Sequence, residues 1–132
     1  MVPEFAWDAR LHALDLPEMD ATHREFATLL ARAQSAPDAD LPERLDDLLT
    51  HTRAHFARES DMMAACGLGS RAEHEADHRR VLGELEQMRE RAAKGRTMLP
   101  RAYIAEGMPD WFRTHLATMD GDLAGKFRKL AE

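Results

Sequence analysis

Three short interruptions divide most of this chain into four long stretches that carry helical spacing, and no stretch alternates as a strand would. The first stretch runs from Asp20 to about Ser35, with Phe26, Leu29, Leu30 and Ala33 returning to one side, and the loop Ala36-Pro37-Asp38-Ala39 ends it. The second opens with Asp40 as a cap, Pro42 in its first turn and Glu43 three residues after the cap. It carries Leu45, Leu48, Leu49 and Phe56 on its inner side and stops at Gly67. Ser70 with Glu73 repeats the capping-box pattern and starts the third, whose Val81, Leu82, Leu85 and Met88 precede a closing Gly95. The fourth spans about Leu99 to Asp120. Gly107 and Pro109 interrupt it, which predicts either a kink or a restart with Pro109 in the first turn. Connections this short make successive helices antiparallel neighbours. The expected fold is therefore all-α, an up-down-up-down antiparallel four-helix bundle with an N-terminal lead-in and a short C-terminal helix, in one domain over residues 1–132.

Charge and apolar content exclude several functions. The formal net charge is -6 with both signs interspersed, so no basic stripe is present to neutralise a phosphate backbone or grip an anionic membrane. Neither nucleic acid nor a membrane is expected as a partner, and the sequence names no protein partner. No segment is apolar for long enough to span a bilayer, and the N-terminus lacks the basic flank and apolar run of a secretory signal. The single Cys66 cannot form an internal disulfide, and it reads as an ordinary small residue at a helix end. A cytoplasmic location is the expectation.

Seven histidines stand beside a single tyrosine, more imidazoles than a small helical domain needs for structure. His55 and Glu59 are four apart on the second helix, and His74 and His78 are four apart on the third, so each pair projects from one face. His23 lies on the apolar side of the first helix near Phe26, and His115 lies on the fourth between Trp111 and Met119. Asp120 is harder to place, because five residues on an ideal helix turn it about 140° from His115; spacing alone does not select it. Burying several imidazoles and two carboxylates without partners costs several kcal/mol. Metal coordination removes that cost. His12 falls outside the four helices and reads as structural. His51, one turn before His55, reads either as a polar side chain hydrogen-bonded near the helix surface or as an outer group gating a metal site. Phe56 and Trp111 read equally as walls of such a site and as plain core aromatics.

These residues resemble the hemerythrins, especially their bacterial single-domain members, over nearly the whole chain. Leu16-Pro17-Glu18-Met19-Asp20-Ala21-Thr22-His23 is similar to the Ile-Asp-x-Gln-His opening of the family's first helix. His55-Phe56-Ala57-Arg58-Glu59 matches His-Phe-x-x-Glu, and His74-Glu75-Ala76-Asp77-His78 matches His-x-x-x-His. Trp111-Phe112-Arg113-Thr114-His115 followed by Asp120 resembles Trp-x-x-x-His-x-x-x-x-Asp. Thr22, Ser60 and Gly121 depart from the family's usual Gln, Glu and basic residue, and none of these departures removes a ligand.

The resemblance implies two iron ions with an oxo or hydroxo bridge. By it, His74, His78 and His115 hold one iron, His23 and His55 hold the other, and Glu59 and Asp120 bridge them. It implies reversible dioxygen binding at the open position of the two-His iron, so the chain reads as an oxygen-binding protein rather than an enzyme. Two other readings stay open at this point: a di-iron enzyme reducing peroxide or nitric oxide, and an interaction bundle without iron. Zinc also suits imidazole and carboxylate ligands.

Overall fold

Residues 5–131 are described by a computed structural model. After a short helix α1 (Ala9–His12) come α2 (Pro17–Ser35), α3 (Leu41–Cys66) and α4 (Arg71–Ala93). The fourth long helix is assembled from α5 (Met98–Ala102), α6 (Met108–His115) and α7 (Gly121–Arg128), joined by two wide turns at Tyr103–Gly107 and Leu116–Asp120. A single 3-10 turn, Lys129–Ala131, follows. No strand is present among the described residues, and none of their helices is long and apolar enough to cross a membrane.

The helix ends follow local chemistry. Gly67 at φ +61° closes α3: its N–H bonds the Ala64 carbonyl, the Leu68 N–H bonds that of Met63, and Leu68 packs with Met63 in one apolar cluster. Gly95 at φ +78° repeats this arrangement after α4, with its own N–H on Ala92 and the Arg96 N–H on Arg91. Three expected helix starts form differently: Asp40 stands at the N-cap position of α3, but its side chain makes no capping bond. α2 begins at Pro17 rather than Asp20, and Asp20 reaches back from inside the helix to accept the N–H groups of Leu14 at 2.8 Å and Leu16 at 3.4 Å. Ser70 stands at the start of α4, but its hydroxyl donates to Asp122 across the bundle at 2.8 Å instead of capping its own helix.

In the fourth helix the expected interruption at Gly107 and Pro109 takes the form of a wide turn, after which α6 begins with Pro109 in its first turn while the backbone stays helical throughout. The Met108 N–H bonds the Tyr103 carbonyl five residues back. This wider turn gives room for the Pro109 ring and tolerates its missing N–H. The short C-terminal helix expected beyond Asp120 is α7, which follows the second wide turn without leaving the helical path. It continues to Arg128 because Leu123 and Ala124, both fully buried, draw it along the core.

Contacts at the two ends establish the antiparallel order. At one end the Gln34 amide donates to the Ile104 carbonyl at 2.7 Å, Arg101 reaches Asp38 at 2.7 Å, and Arg89 pairs with Asp46. At the other, Met19, Met63, Cys66, Leu68, Leu123 and Ala124 form a small apolar cluster. The larger cluster, including Phe26, Leu30, Leu45, Leu48, Val81, Leu85, Ile104, Met108 and Phe112, fills the rest of the interior. Each fully buried leucine there contributes about 1.5–3 kcal/mol. The lead-in is tied down through the Phe5 N–H, which donates to Gln34, and through His12, which accepts the Asp8 N–H and stacks on Phe5. His12 thus takes the structural role expected of it.

The cap at Gly67 yields a test with an internal control. No heavy atom lies within 4 Å of an added Cβ at Gly67 or at Gly83, but only Gly67 has a left-handed backbone. Gly67→Ala is expected to destabilise the protein by about 1–2 kcal/mol, while Gly83→Ala, inside α4, is expected to stabilise it by about 0.5–1 kcal/mol. Urea midpoints for the two variants check the opposite signs.

Candidate metal centre

Each long helix turns at least one candidate side chain into the layer between the two apolar clusters. α2 supplies His23, α3 supplies His55 and Glu59 one turn apart, and α4 supplies His74 and His78 one turn apart. His115 ends α6 and Asp120 ends the wide turn that follows. None of the seven is more than 4 % exposed. The wide turn explains Asp120. The Gly121 N–H bonds the Leu116 carbonyl five residues back, so one revolution takes about one extra residue. Asp120 is thereby returned beneath His115, with Oδ1 at 3.1 Å from Nε2.

Each carboxylate divides its two oxygens between two sets of imidazoles. Glu59 Oε1 lies 3.2 Å from His74 Nε2 and 3.3 Å from His78 Nε2. Glu59 Oε2 lies 2.5 Å from His55 Nε2 and 3.5 Å from His23 Nε2. Asp120 Oδ1 faces His74 at 3.2 Å as well as His115, while Oδ2 faces His23 at 3.1 Å. Two groups able to hold a metal ion result, one of Glu59, His74, His78, His115 and Asp120 and one of His23, His55, Glu59 and Asp120. The donor atoms within each lie within 4.8 Å of one another.

The donors fit metal ions better than they fit one another. Metal–ligand bonds of about 2.1 Å at right angles hold neighbouring donor atoms about 3 Å apart, close to the spacing here. Asp120 Oδ2 lies 3.1 Å from His23 Nε2 and Oδ1 lies 3.1 Å from His115 Nε2, yet neither oxygen nor His23 Nε2 has a hydrogen-bond partner among the described residues. His78 and His115 likewise face through Nε2 atoms 3.2 Å apart, an arrangement in which two neutral rings share at most one proton. Imidazole with carboxylate is a donor set for first-row transition metals.

Electrostatics lead to the same conclusion. Burial disfavours the His23 imidazolium, but Asp120 and Glu59 outweigh it and push the pKa up to about 9. His74 is pushed up to about 9 by the same two carboxylates against the same penalty. His115 is raised too, its burial overcome by Asp120, whereas burial dominates at His78 and lowers it. Burial also works against ionising Glu59, yet His55, His23 and His74 hold its carboxyl well below the usual range. Asp120 is lowered against both burial and repulsion from Glu59 by His115, His23 and His74. The carboxylates thus stay ionised in the interior and demand positive charge beside them.

Aromatic rings close the side facing the larger apolar cluster. Phe56 stacks on His78 with ring centroids 3.7 Å apart, Trp111 stacks on His115 at 4.8 Å, and Phe112 meets His23 edge-on at 5.7 Å. Phe56 and Trp111 therefore serve as core and wall at once. On the α2–α3 side, a cavity of about 60 Å³ lined by Met19, Thr22, Arg58 and Met62 touches His55 and Glu59. His51 belongs to neither ligand group; its Nδ1 lies 3.8 Å from Glu25 and its ring 6.0 Å from that of His55.

All seven candidate ligands come together. Two neighbours were not singled out from the sequence: Phe112, and Asp77, which accepts hydrogen bonds from both His115 and Trp111. The i, i+4 spacing of Trp111 and His115 marked one stripe, but only packing of α4 on the fourth helix sets an acid beside both.

Comparison with known proteins agrees with this geometry. The hemerythrin HHE cation-binding domain family matches residues 14–127. A relative from Ralstonia nicotianae (strain ATCC BAA-1114 / GMI1000), described as a bacteriohemerythrin, is 36% identical over 119 residues, covering 90% of this chain and 85% of its own. Two crystal structures of point mutants, one described as a hemerythrin, resemble this chain with a TM-score of 0.83 each, at 19% and 18% identity. They cover 96% of this chain and 98% of theirs, a likeness of fold.

The raised and lowered groups predict how the metal-free protein responds to pH. His23 and His74, raised from 6.5 to about 9, contribute stability that is complete below pH 6.5 and lost as the pH rises through about 9. The lowered Glu59 and Asp120 contribute stability present above their ordinary values of 4.5 and 3.8 and lost on acidification. Chelator-treated protein should melt at its highest temperature between about pH 4.5 and 6.5 and at progressively lower temperatures toward and above pH 9. A melting temperature that holds or rises across that alkaline range contradicts the charge arrangement.

Proposed function

The chain belongs to the hemerythrin family, and we propose that it holds two irons and binds dioxygen reversibly between them. In this reading His74, His78 and His115 hold one iron, His23 and His55 hold the other, and Glu59 and Asp120 bridge the pair. The observation that carries it is the division of both carboxylates, each with one oxygen toward the three-imidazole set and the other toward the two-imidazole set.

Ligand counting then locates the reactive side. Three imidazoles and two carboxylate oxygens would hold one iron, and two imidazoles with two carboxylate oxygens the other, so the side with fewer protein ligands is where dioxygen would bind. Two ferrous irons, when bound, supply the electrons that hold dioxygen there. The protein's own residues supply the surroundings. Phe26, Phe56, Trp111 and Phe112 form the apolar wall that excludes water and stray protons from the ligand layer. Five imidazoles against only two carboxylates offer less negative charge to high-valent iron than the carboxylate-rich sites of ferritin-like bundles do. This ligand balance favours release of dioxygen over its cleavage.

Two measurements test the reading. Protein reconstituted anaerobically with ferrous iron should gain a visible absorption band on exposure to air and lose it under inert gas, over repeated cycles. A one-way change within a single exposure, with stoichiometric hydrogen peroxide released, would defeat reversible binding. Elemental analysis should find two irons per chain, falling to one or fewer in Glu59→Gln, which removes a bridging charge and leaves His55 and His74 without it. An unchanged iron content in that variant would remove Glu59 from the ligand set.

A further inference from the structure

Among the five clustered imidazoles, His115 alone has a partner for its far nitrogen among the described residues. The Nδ1 atoms of His23, His55, His74 and His78 are buried and have none. His115 Nδ1 lies 2.7 Å from Asp77 Oδ2. The same oxygen accepts the Trp111 indole N–H at 2.8 Å, and Oδ1 accepts from Arg80 at 2.9 Å. Trp111 in turn lies nearly parallel to the His115 ring, with an interplanar angle of 28°. His115 is thus held on its edge by a carboxylate and on its face by an indole, and both supports are fixed to the same oxygen. The Asp77 side chain is 17% exposed and lines a surface cleft of about 370 Å³ with Arg80, Trp111 and His115. The charge beside this one ligand is therefore part-solvated, whereas the other four imidazoles face the interior.

We propose that Asp77 is a positioning residue that keeps the His115 proton on Nδ1, turns its Nε2 lone pair into the metal centre, and gives that one ligand a negative partner the other four lack. The inference rests on the two-iron reading. A carboxylate accepting the far N–H fixes the tautomer of a metal-bound imidazole and raises its donor strength. Stronger donation from His115 favours the ferric over the ferrous state at the three-imidazole iron. Because Asp77 serves one ligand of one iron, it makes the two irons electronically unequal beyond the difference in ligand number. Arg80 limits the effect, since it shares the charge through Oδ1 while itself donating to Glu84 at 2.8 Å.

Two substitutions separate position from charge. Asp77→Asn keeps an acceptor for His115 and Trp111 and removes the negative charge; Asp77→Ala removes both. Zinc affinity, read by competition with a chelator, should fall about 10- to 100-fold in Asp77→Ala and stay within a few-fold of the parent in Asp77→Asn. In the iron-loaded proteins, Asp77→Asn should shift the ferric–ferrous equilibrium about tenfold toward ferrous in a redox titration, with the melting temperature of the metal-free protein close to the parent's. Zinc affinity and redox midpoint both unchanged in Asp77→Asn and Asp77→Ala would overturn the inference. If Asp77→Ala does not fold, the redox midpoint of the nearly isosteric Asp77→Asn decides alone. Failure of the parent to bind two irons would count against the two-iron reading, whereas a parent that binds two beside unaffected variants would count against Asp77 only.

Discussion

Two ionised carboxylates and five imidazoles converge at the centre of an otherwise apolar bundle, and the remaining structure is arranged around that polar layer. Taking a charge out of water without a partner costs several kcal/mol or more, comparable to the whole stability of a domain this size. The bundle meets the cost in two ways. Without metal, Glu59 and Asp120 raise His23, His74 and His115 and hold protons there. Metal cations held there would replace those protons, so that binding and folding would draw on the same contacts. Apolar clusters above and below carry the ordinary work of the core and keep water from shielding the layer.

Helix geometry follows from this layer. Since every long helix contributes, each has a rotation about its axis that brings its ligand inward, and the i, i+4 pairs on α3 and α4 satisfy that within a regular helix. The fourth helix cannot do so, because His115 and Asp120 are five apart. A wide turn absorbs the extra residue, and the helix then resumes with Leu123 and Ala124 on the core side. A second wide turn, at Tyr103–Gly107, accommodates Pro109 one turn ahead of the aromatic residues Trp111 and Phe112. Both wide turns among the described residues thus lie on the same helix, one at the polar layer and one leading into it.

Most of the candidate ligand layer could be read from residue order because helical period places His55 with Glu59 and His74 with His78 before any tertiary contact exists. Asp120 came only from resemblance to a known motif, since a uniform helix points it elsewhere and nothing local announces a wide turn. That the short helix beyond Asp120 continues the path of the fourth was hidden for the opposite reason: Leu123 and Ala124 are unremarkable locally and act only through burial. Ser70 looked like a cap, yet its hydroxyl found Asp122 across the bundle. Asp77 and Phe112 were invisible as partners because their contacts join helices far apart in sequence.

The proposed two-iron arrangement requires Glu59 and Asp120 to lie between two metal positions rather than around one. A crystal structure of the iron-loaded protein, with data collected at the iron absorption edge, tests this most directly. Two iron peaks about 3.5–4 Å apart are expected, one bonded to His74, His78 and His115, the other to His23 and His55, with both carboxylates touching each. A single iron peak, or a pair with Asp120 turned away from one of them, would contradict it.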